Sequence, residues 1–521
     1  MPKIIIREKD KSTLAPNTYN SFSVVVPGFV ATGTDFNDVK DENDVYECSS
    51  LEDFKKHIGC VKTINTPNDA AYATVYKTGS FNTEVSSKTE FDLYDLTVTY
   101  KNYIICKATK DSSTTAHKNV AKVNEKLYSL TELKSEDDLG TLVDGDLVYI
   151  CTDLGREANE LTITHVGNQV AYELVNLGYT VLYKSLGTSI SDEAIKKLNE
   201  DDFWDCFRDK AVYDFRYVVT GLINNNTDAN NQIVKLAKFD ENVNFDSADV
   251  TTLGRGDITA LLDIDEAKYL DKTQAAAIKE IKNVTSTGIG KYAAYFAPTF
   301  IVKESYFGSS YPYKSSDTDT SFNRKFPASF FYLAAAIKAR NSFREWYAVA
   351  GYTRGIIDLP VEKTTVTFGE AAVSALEPRQ VSDSIKCAVN PIIKLGSSYY
   401  LWGNRTAEEL NNEDLKYSHF LNIRQLCSTL KKQIYIASRR LTFDPNSDNL
   451  WINWTNAIRP TLEEMRSDQG IENYVFVKDT TSKKGYLKAS VRIIPIEAVE
   501  DFDITVSLED SIEGVLVTVE E

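Results

Sequence analysis

Two long apolar stripes followed by two short strands, between Phe420 and Pro495, constrain the fold of this chain more than any other feature. Phe420, Ile423, Cys427, Leu430, Ile434 and Leu441 recur at steps of three, four and seven, which lays them along one side of a 3.6-residue helix. Phe443-Asp444-Pro445-Asn446 ends that helix, because proline fixes φ and Asn and Asp favour turns. Trp451, Trp454, Ile458, Leu462 and Met465 form a second stripe, with Pro460 as a kink or restart and Gly470 just beyond as a C-cap. Residues 474–477 and 490–495 read as strands around a polar turn at 480–485. An ordinary α+β core accounts for this pattern by itself.

The first of these helices also reverses the local charge. Residues 415–440 hold six Lys/Arg and no Asp or Glu, in a chain of net charge -17. Arg424, Lys431, Lys432 and Arg439 fall on a different face from the apolar stripe. Two readings stand for them: a solvated face, or an attachment surface.

At 521 residues the chain is too long for one core, and three or four domains is the expectation. It has no run of about 18 apolar residues, which argues against a transmembrane helix. The first seven residues, Met1 to Arg7, carry charge and no apolar h-region, so they do not read as a signal peptide. Seven scattered cysteines without a CxxC pair read as reduced thiols. The four histidines have no second His or Cys at ligand spacing, so neither a metal site nor a Cys/His nucleophile is expected. A net charge of -17 argues against wrapping nucleic acid.

Both ends carry strand-forming segments. Ile4, Ile5 and Ile6 sit among Lys3, Arg7, Lys9 and Lys11 against Glu8 and Asp10, a net basic arm. At the far end Ile504, Val506 and Leu508 alternate with polar residues, as Val515 and Val517 nearly do, and residues 496–521 hold nine Asp/Glu and no Lys or Arg. A lone terminal strand leaves its backbone groups unpaired, so it must join a sheet, in its own molecule or in another. Closure of the chain's own sheet and addition to a neighbouring chain are both open on these residues alone.

Between the ends, Ser23 to Val30 reads as a strand and Ser49 or Ser50 as the cap of a short helix closed by Gly59. Residues 81–164 are polar and strand-rich, with strands expected at 96–100, 103–106 and 145–150. From 165 onward helices are expected at 169–177, from Ser191 and at 273–281, with strands at 179–183, 215–220, 233–237, 257–262 and 292–298. That alternation argues an α/β layer.

Sequences that carry chemistry elsewhere are weak here. Gly288-Ile289-Gly290-Lys291-Tyr292 lacks the Walker spacing and has Tyr at the hydroxyl position. Asp263-Ile264-Asp265-Glu266 has carboxylates suited to a divalent ion, although adjacent like charges are more often solvated. Arg255-Gly256-Asp257 matches a cell-adhesion tripeptide. No catalytic residue, cofactor or metal site is expected.

Several peptides in order resemble the C-terminal domain of contractile tail sheath proteins of phages and related particles. They are Ala388-Val389-Asn390-Pro391-Ile392, Trp402-Gly403-Asn404-Arg405-Thr406, Asn422-Ile423-Arg424-Gln425-Leu426, Phe443-Asp444-Pro445-Asn446, Trp451 and Gly470-Ile471-Glu472-Asn473-Tyr474. Tyr292 to Pro298 and Phe326-Pro327-Ala328-Ser329 extend the likeness more loosely.

The resemblance implies a multidomain α/β and α+β chain: an N-terminal arm at 1–20, the first part of the sheath core at 21–80, a β-rich insertion at 81–164, an α/β middle domain at 165–360, the C-terminal sheath domain at 361–500 and a C-terminal arm at 501–521. It implies a helical homopolymer of hexameric rings around a tail tube, with baseplate and tail terminator proteins as further partners, and neither nucleic acid nor membrane insertion. It implies a virion component that contracts to drive the tube through a host envelope, with a bacteriocin-like or injection particle as the alternative. An α/β enzyme and an adhesive surface protein are the rival classes. The resemblance further implies arms that add strands to neighbouring copies and a C-terminal domain against the tube, where Arg424, Lys431, Lys432 and Arg439 would attach.

Overall fold

The computed structural model describes residues 22–30, 45–58, 73–75, 103–107, 120–123, 126–129, 147–151, 166–187, 191–222, 227–239, 254–285, 289–302, 324–358, 361–364, 366–377, 387–410, 415–479 and 487–499. β1 (Ser23–Gly28) and β2 (Val45–Cys48) precede α1 (Leu51–His57). Ser50 caps α1, its hydroxyl accepting from the Asp53 N–H at 3.1 Å, as expected of serine at a helix start. β3 (Ala73–Val75), β4 (Tyr103–Lys107) and β7 (Leu147–Cys151) make one antiparallel sheet in the order β3-β7-β4, and β5 (Val120–Val123) pairs with β6 (Lys126–Ser129). β3 precedes the expected insertion start at 81, yet it pairs with β7 from within that stretch. The strand expected at 96–100 lies outside the described residues.

After it come α2 (Val166–Asn176), β8 (Thr180–Ser185), β9 (Tyr217–Val218), α3 (Thr227–Ala237), β10 (Thr259–Asp263), α4 (Gln274–Val284) and β11 (Ala293–Ala297). β12 (Phe300–Val302), β13 (Arg324–Phe326), α5 (Ala328–Ser342), β14 (Val361–Thr364), α6 (Glu370–Leu376), β15 (Val389–Leu395) and β16 (Ser398–Leu401) follow. The chain continues through α7 (Leu421–Arg440), α8 (Asp448–Ser467), β17 (Ile471–Lys478) and β18 (Ala489–Pro495).

One expected strand is a helix. Residues 233–237 are the end of α3, whose buried side is Ala229, Ile233, Leu236 and Ala237. Ile-Val-Lys-Leu-Ala is too short a run to separate the two periods, and the four-residue step back to Ala229 decides for helix.

An eight-stranded sheet in the order β16-β15-β11-β10-β9-β1-β8-β2 organises the chain. Its interior pairs are parallel, and β15–β16 and β2–β8 close the two edges antiparallel. Successive side chains of a strand point to opposite faces. Val24 and Val26 accordingly join α1, α2 and α5 in one apolar layer, and Val25 joins α3, α4 and α6 in the other. A sheet covered on both faces needs near-continuous apolar strands, and β1 is buried along its whole length. The sheet takes strands from 21–80, 165–360 and 361–500, three stretches that the sequence reading separates.

α7, α8, β17 and β18 form a further layer with its own core of Leu426, Leu430, Trp454, Ile458, Leu462, Met465 and Ile471. Pro460 sits on the exposed side of α8, so its missing N–H falls on the solvent side and the helix continues without a restart.

Candidate functional site

α7 lies across the amino ends of the central strands. Gln425 Nε2 donates to Thr259 Oγ1 at the start of β10 at 3.1 Å. Arg216, just before β9, is buried and pairs with Glu345 and Thr429. This seam is where the basic residues of α7 go. Arg424 is 5% exposed, donates to the Gly256 carbonyl and stacks 4.3 Å from the Tyr292 ring centroid. Lys431 Nζ reaches the same carbonyl at 3.1 Å. Lys432 is 3% exposed and pairs with Asp214, the Phe215 carbonyl and Asp257.

That corrects the expected attachment face. Arg424 and Lys432 are spent on the chain's own sheet, because four carbonyl and carboxylate acceptors converge where α7 crosses it, and Lys431 is drawn to the same spot. Arg439, at the end of α7, remains exposed.

The Arg255-Gly256-Asp257 tripeptide belongs to the same seam. Arg255 and Asp257 are both buried, paired at 3.1 and 3.2 Å, so the motif presents nothing to an adhesion receptor. Burial alone would raise the Asp257 carboxyl, but Arg255 and Lys432 outweigh it and hold the group well below the usual carboxylate range. Burial pulls Lys432 downward, against the attraction of Asp257 and Asp214.

Four of the peptides that carry the sheath resemblance, at 388–392, 402–406, 422–426 and 470–474, meet in space. Asn390, fully buried on β15, donates to the carbonyls of Tyr295 at 3.0 Å and Arg405 at 2.9 Å and accepts from the Arg405 N–H at 2.7 Å. Asn404 and Asn422 exchange two bonds at 2.8 and 3.0 Å, and Asn422 donates to the Trp346 carbonyl at 3.3 Å. Arg405 stacks 4.5 Å from the Phe420 ring centroid. A Cβ at Gly403 would stand 2.7 Å from the Asn390 Cα, and one at Gly470 would stand 2.7 Å from the Trp346 indole nitrogen, so both positions need glycine. Three separate loops are thereby locked to the root of α7.

Beyond this seam projects the β17–β18 pair. Seven residue pairs hold it together, with a shift between Ile471 and Asn473. Its inner face, Tyr474, Phe476, Ala489, Val491 and Ile493, packs on the helices. Its outer face leaves Val475 53% and Ile494 48% exposed. Among the described residues neither outer edge has a strand partner. An open edge of unpaired N–H and C=O groups is a template for another strand, and two strands by themselves are marginal in water. The alternation of residues 489–493 is the sequence signal for this surface. What the sequence left unmarked is that, among the described residues, no third strand joins the pair.

The expected arm residues Ile4, Ile5, Ile6, Ile504, Val506, Leu508, Val515 and Val517 lie outside the described residues. The remaining decoys are occupied. Ile289 and Gly290 bond the Ala407 carbonyl. Asp263 accepts from Ser329 N–H and Oγ, Asp265 caps Ala267, and Glu266 pairs with Lys325 at 3.1 Å. Among the described residues no cluster of His, Cys, Asp and Glu is arranged to hold a metal, and no helix is long and apolar enough to cross a membrane.

No protein-family model and no curated protein matches the chain. Among solved structures, the sheath of the PVC extracellular contractile injection system in its contracted state is 17% identical with a TM-score of 0.36, over 49% of this chain and 64% of that one. The helical sheath of the anti-feeding prophage in its contracted state is 13% identical with a TM-score of 0.43, over 69% and 84%. The sheath tail protein from Desulfitobacterium hafniense is 9% identical with a TM-score of 0.39, over 95% and 100%. The chain is similar to tail sheath proteins. It spans somewhat under two thirds of the PVC sheath chain and the whole of the Desulfitobacterium sheath chain.

Proposed function

We propose that this chain is the structural subunit of a contractile sheath. Copies polymerise around a tail tube by adding terminal strands to each other's β17–β18 pairs. The observation that carries this reading is the open strand pair, seated on a rigid body, in a chain whose two ends are both strand-forming and of opposite charge. Its work is mechanical: an extended assembly relaxes to a more compact packing of the same rigid subunits, and main-chain ladders hold through the change while the segments beside them turn.

Within this reading the particle is a phage tail that ejects a genome through the host envelope. A bacteriocin-like or injection particle uses the same mechanics. The sheath meets the tail tube, baseplate and terminator, and assembles in a bacterial cytoplasm before release in the virion. Chains lacking residues 1–10, and separately chains lacking residues 504–521, are expected to be folded monomers by sedimentation, whereas the parent gives hollow striated cylinders in negative stain. Cylinders from both truncated chains would overturn the reading.

A further inference from the structure

A cavity of about 430 Å³ opens beside the loop that follows α5, and residues 496–499 run along its rim. Trp346, Tyr347, Val373 and Trp402 give it apolar walls, and Arg354 stands among them. The Arg354 guanidinium is half-buried, lies 5.5 Å from the Phe343 ring centroid and 5.3 Å from that of Tyr347, and donates from Nε to the Ala348 carbonyl at 2.7 Å. Among the described residues no carboxylate pairs with it. Of the two acids in the wall, Glu377 is buried with contacts of its own and Glu497 is exposed. A half-buried cation on aromatic rings without a counter-charge is a place for a carboxylate with an apolar neighbour.

The next residues of the chain have that chemistry. Ladder pairing of β18 ends at Pro495, and the Ile496 N–H donates to the Gly470 carbonyl. Beyond it Ala498 is half-buried, while Glu497 and Val499 are exposed. Side chains of an extended segment alternate between its two sides, so Glu500 and Phe502 fall on the Ala498 side, toward the cavity. Phe502 is the one aromatic residue in 496–521, and it stands about 10 Å of extended chain beyond Val499 at the rim. We propose that the cavity is a latch for the chain's own residues 500–502, in which Phe502 fills the aromatic space and Glu500 pairs with Arg354. The latch sets where the C-terminal arm leaves the body, so that its free length begins at Asp503 rather than at Val499. It is intramolecular and does not rest on the sheath reading.

Hydrogen exchange of the full-length chain, followed by mass spectrometry at several protein concentrations, tests this. In Phe502→Ala, and separately in Glu500→Arg, the amides of 346–351 and 496–499 are expected to exchange about tenfold faster than in the parent, with β1, β8 and β10 unchanged. Arg354→Glu is expected to do the same, and Arg354→Glu combined with Glu500→Arg is expected to recover the parent's protection, which an arginine with a merely structural role would not permit. Parent-like exchange in Phe502→Ala or in Glu500→Arg, or no recovery in the double variant, overturns the latch. Protection in the parent that grows with protein concentration places a second copy in the cavity and overturns the intramolecular assignment. Each of these results leaves the sheath reading where it stands, because that reading is decided by the truncated chains.

Discussion

Replacing Asn390 with alanine tests whether the polar seam holds the sheet to α7 and its neighbouring loops. The side chain is fully buried and makes three hydrogen bonds, two donated to the carbonyls of Tyr295 and Arg405 and one accepted from the Arg405 N–H. A buried donor left unpaired costs about 1–3 kcal/mol, and a lost carbonyl bond about 1 kcal/mol. Gly403 packs its backbone against the Asn390 Cα, which leaves little room for a replacing water, so roughly 3–5 kcal/mol is the expected loss for Asn390→Ala. In urea unfolding followed by tryptophan fluorescence, with Trp346 and Trp402 near the seam, such a loss moves the midpoint down by roughly 1–2 M. Asn390→Asp is expected to be at least as damaging at pH 7, because it keeps the acceptor for Arg405 but turns the donor into an oxygen facing two carbonyls. A midpoint for Asn390→Ala within about 0.3 M of the parent would refute the view that this seam is structural.

Two further outcomes separate the charged groups. Arg424→Glu is expected to cost at least about 3 kcal/mol by placing an unpaired carboxylate in the buried seam, whereas Arg439→Glu, at an exposed position, should change stability by no more than about 0.5 kcal/mol; equal losses in denaturant would sink the inward assignment. Burial pushes the Asp263 carboxyl up to about 7 although Ser329 and the Ala328 N–H favour its charged form; because this folded value lies above the unfolded value of about 3.9, the protonated form favours the fold, so stability gained by protonation is full near pH 4 and lost as pH rises through 7. The parent should therefore lose ground to Asp263→Asn between pH 5 and pH 8 in thermal melts, and a constant difference would rule this out.

The sequence by itself determined the elements with a full period or a matching cap. Phe420 to Leu441 and Trp451 to Met465 run long enough to fix α7 and α8, and Ser50, Ser191 and Thr273 cap the helices they precede. Periodicity acts over a few turns of chain, so it is legible without neighbours. Only the tertiary structure decided what depends on partners far away in sequence. Residues 233–237 resolved as helix through Ala229 and the core they share, and β1 found the middle of the sheet between β8 and β9. Arg424 and Lys432 turned inward because Gly256, Asp214 and Asp257, more than 160 residues away, supply acceptors that no local pattern announces. Asn390, Asn404 and Asn422 were visible as a resemblance, while their meeting in one hydrogen-bonded seam was not. An alternating run foretells a strand; whether its far edge stays open depends on what the rest of the chain places beside it.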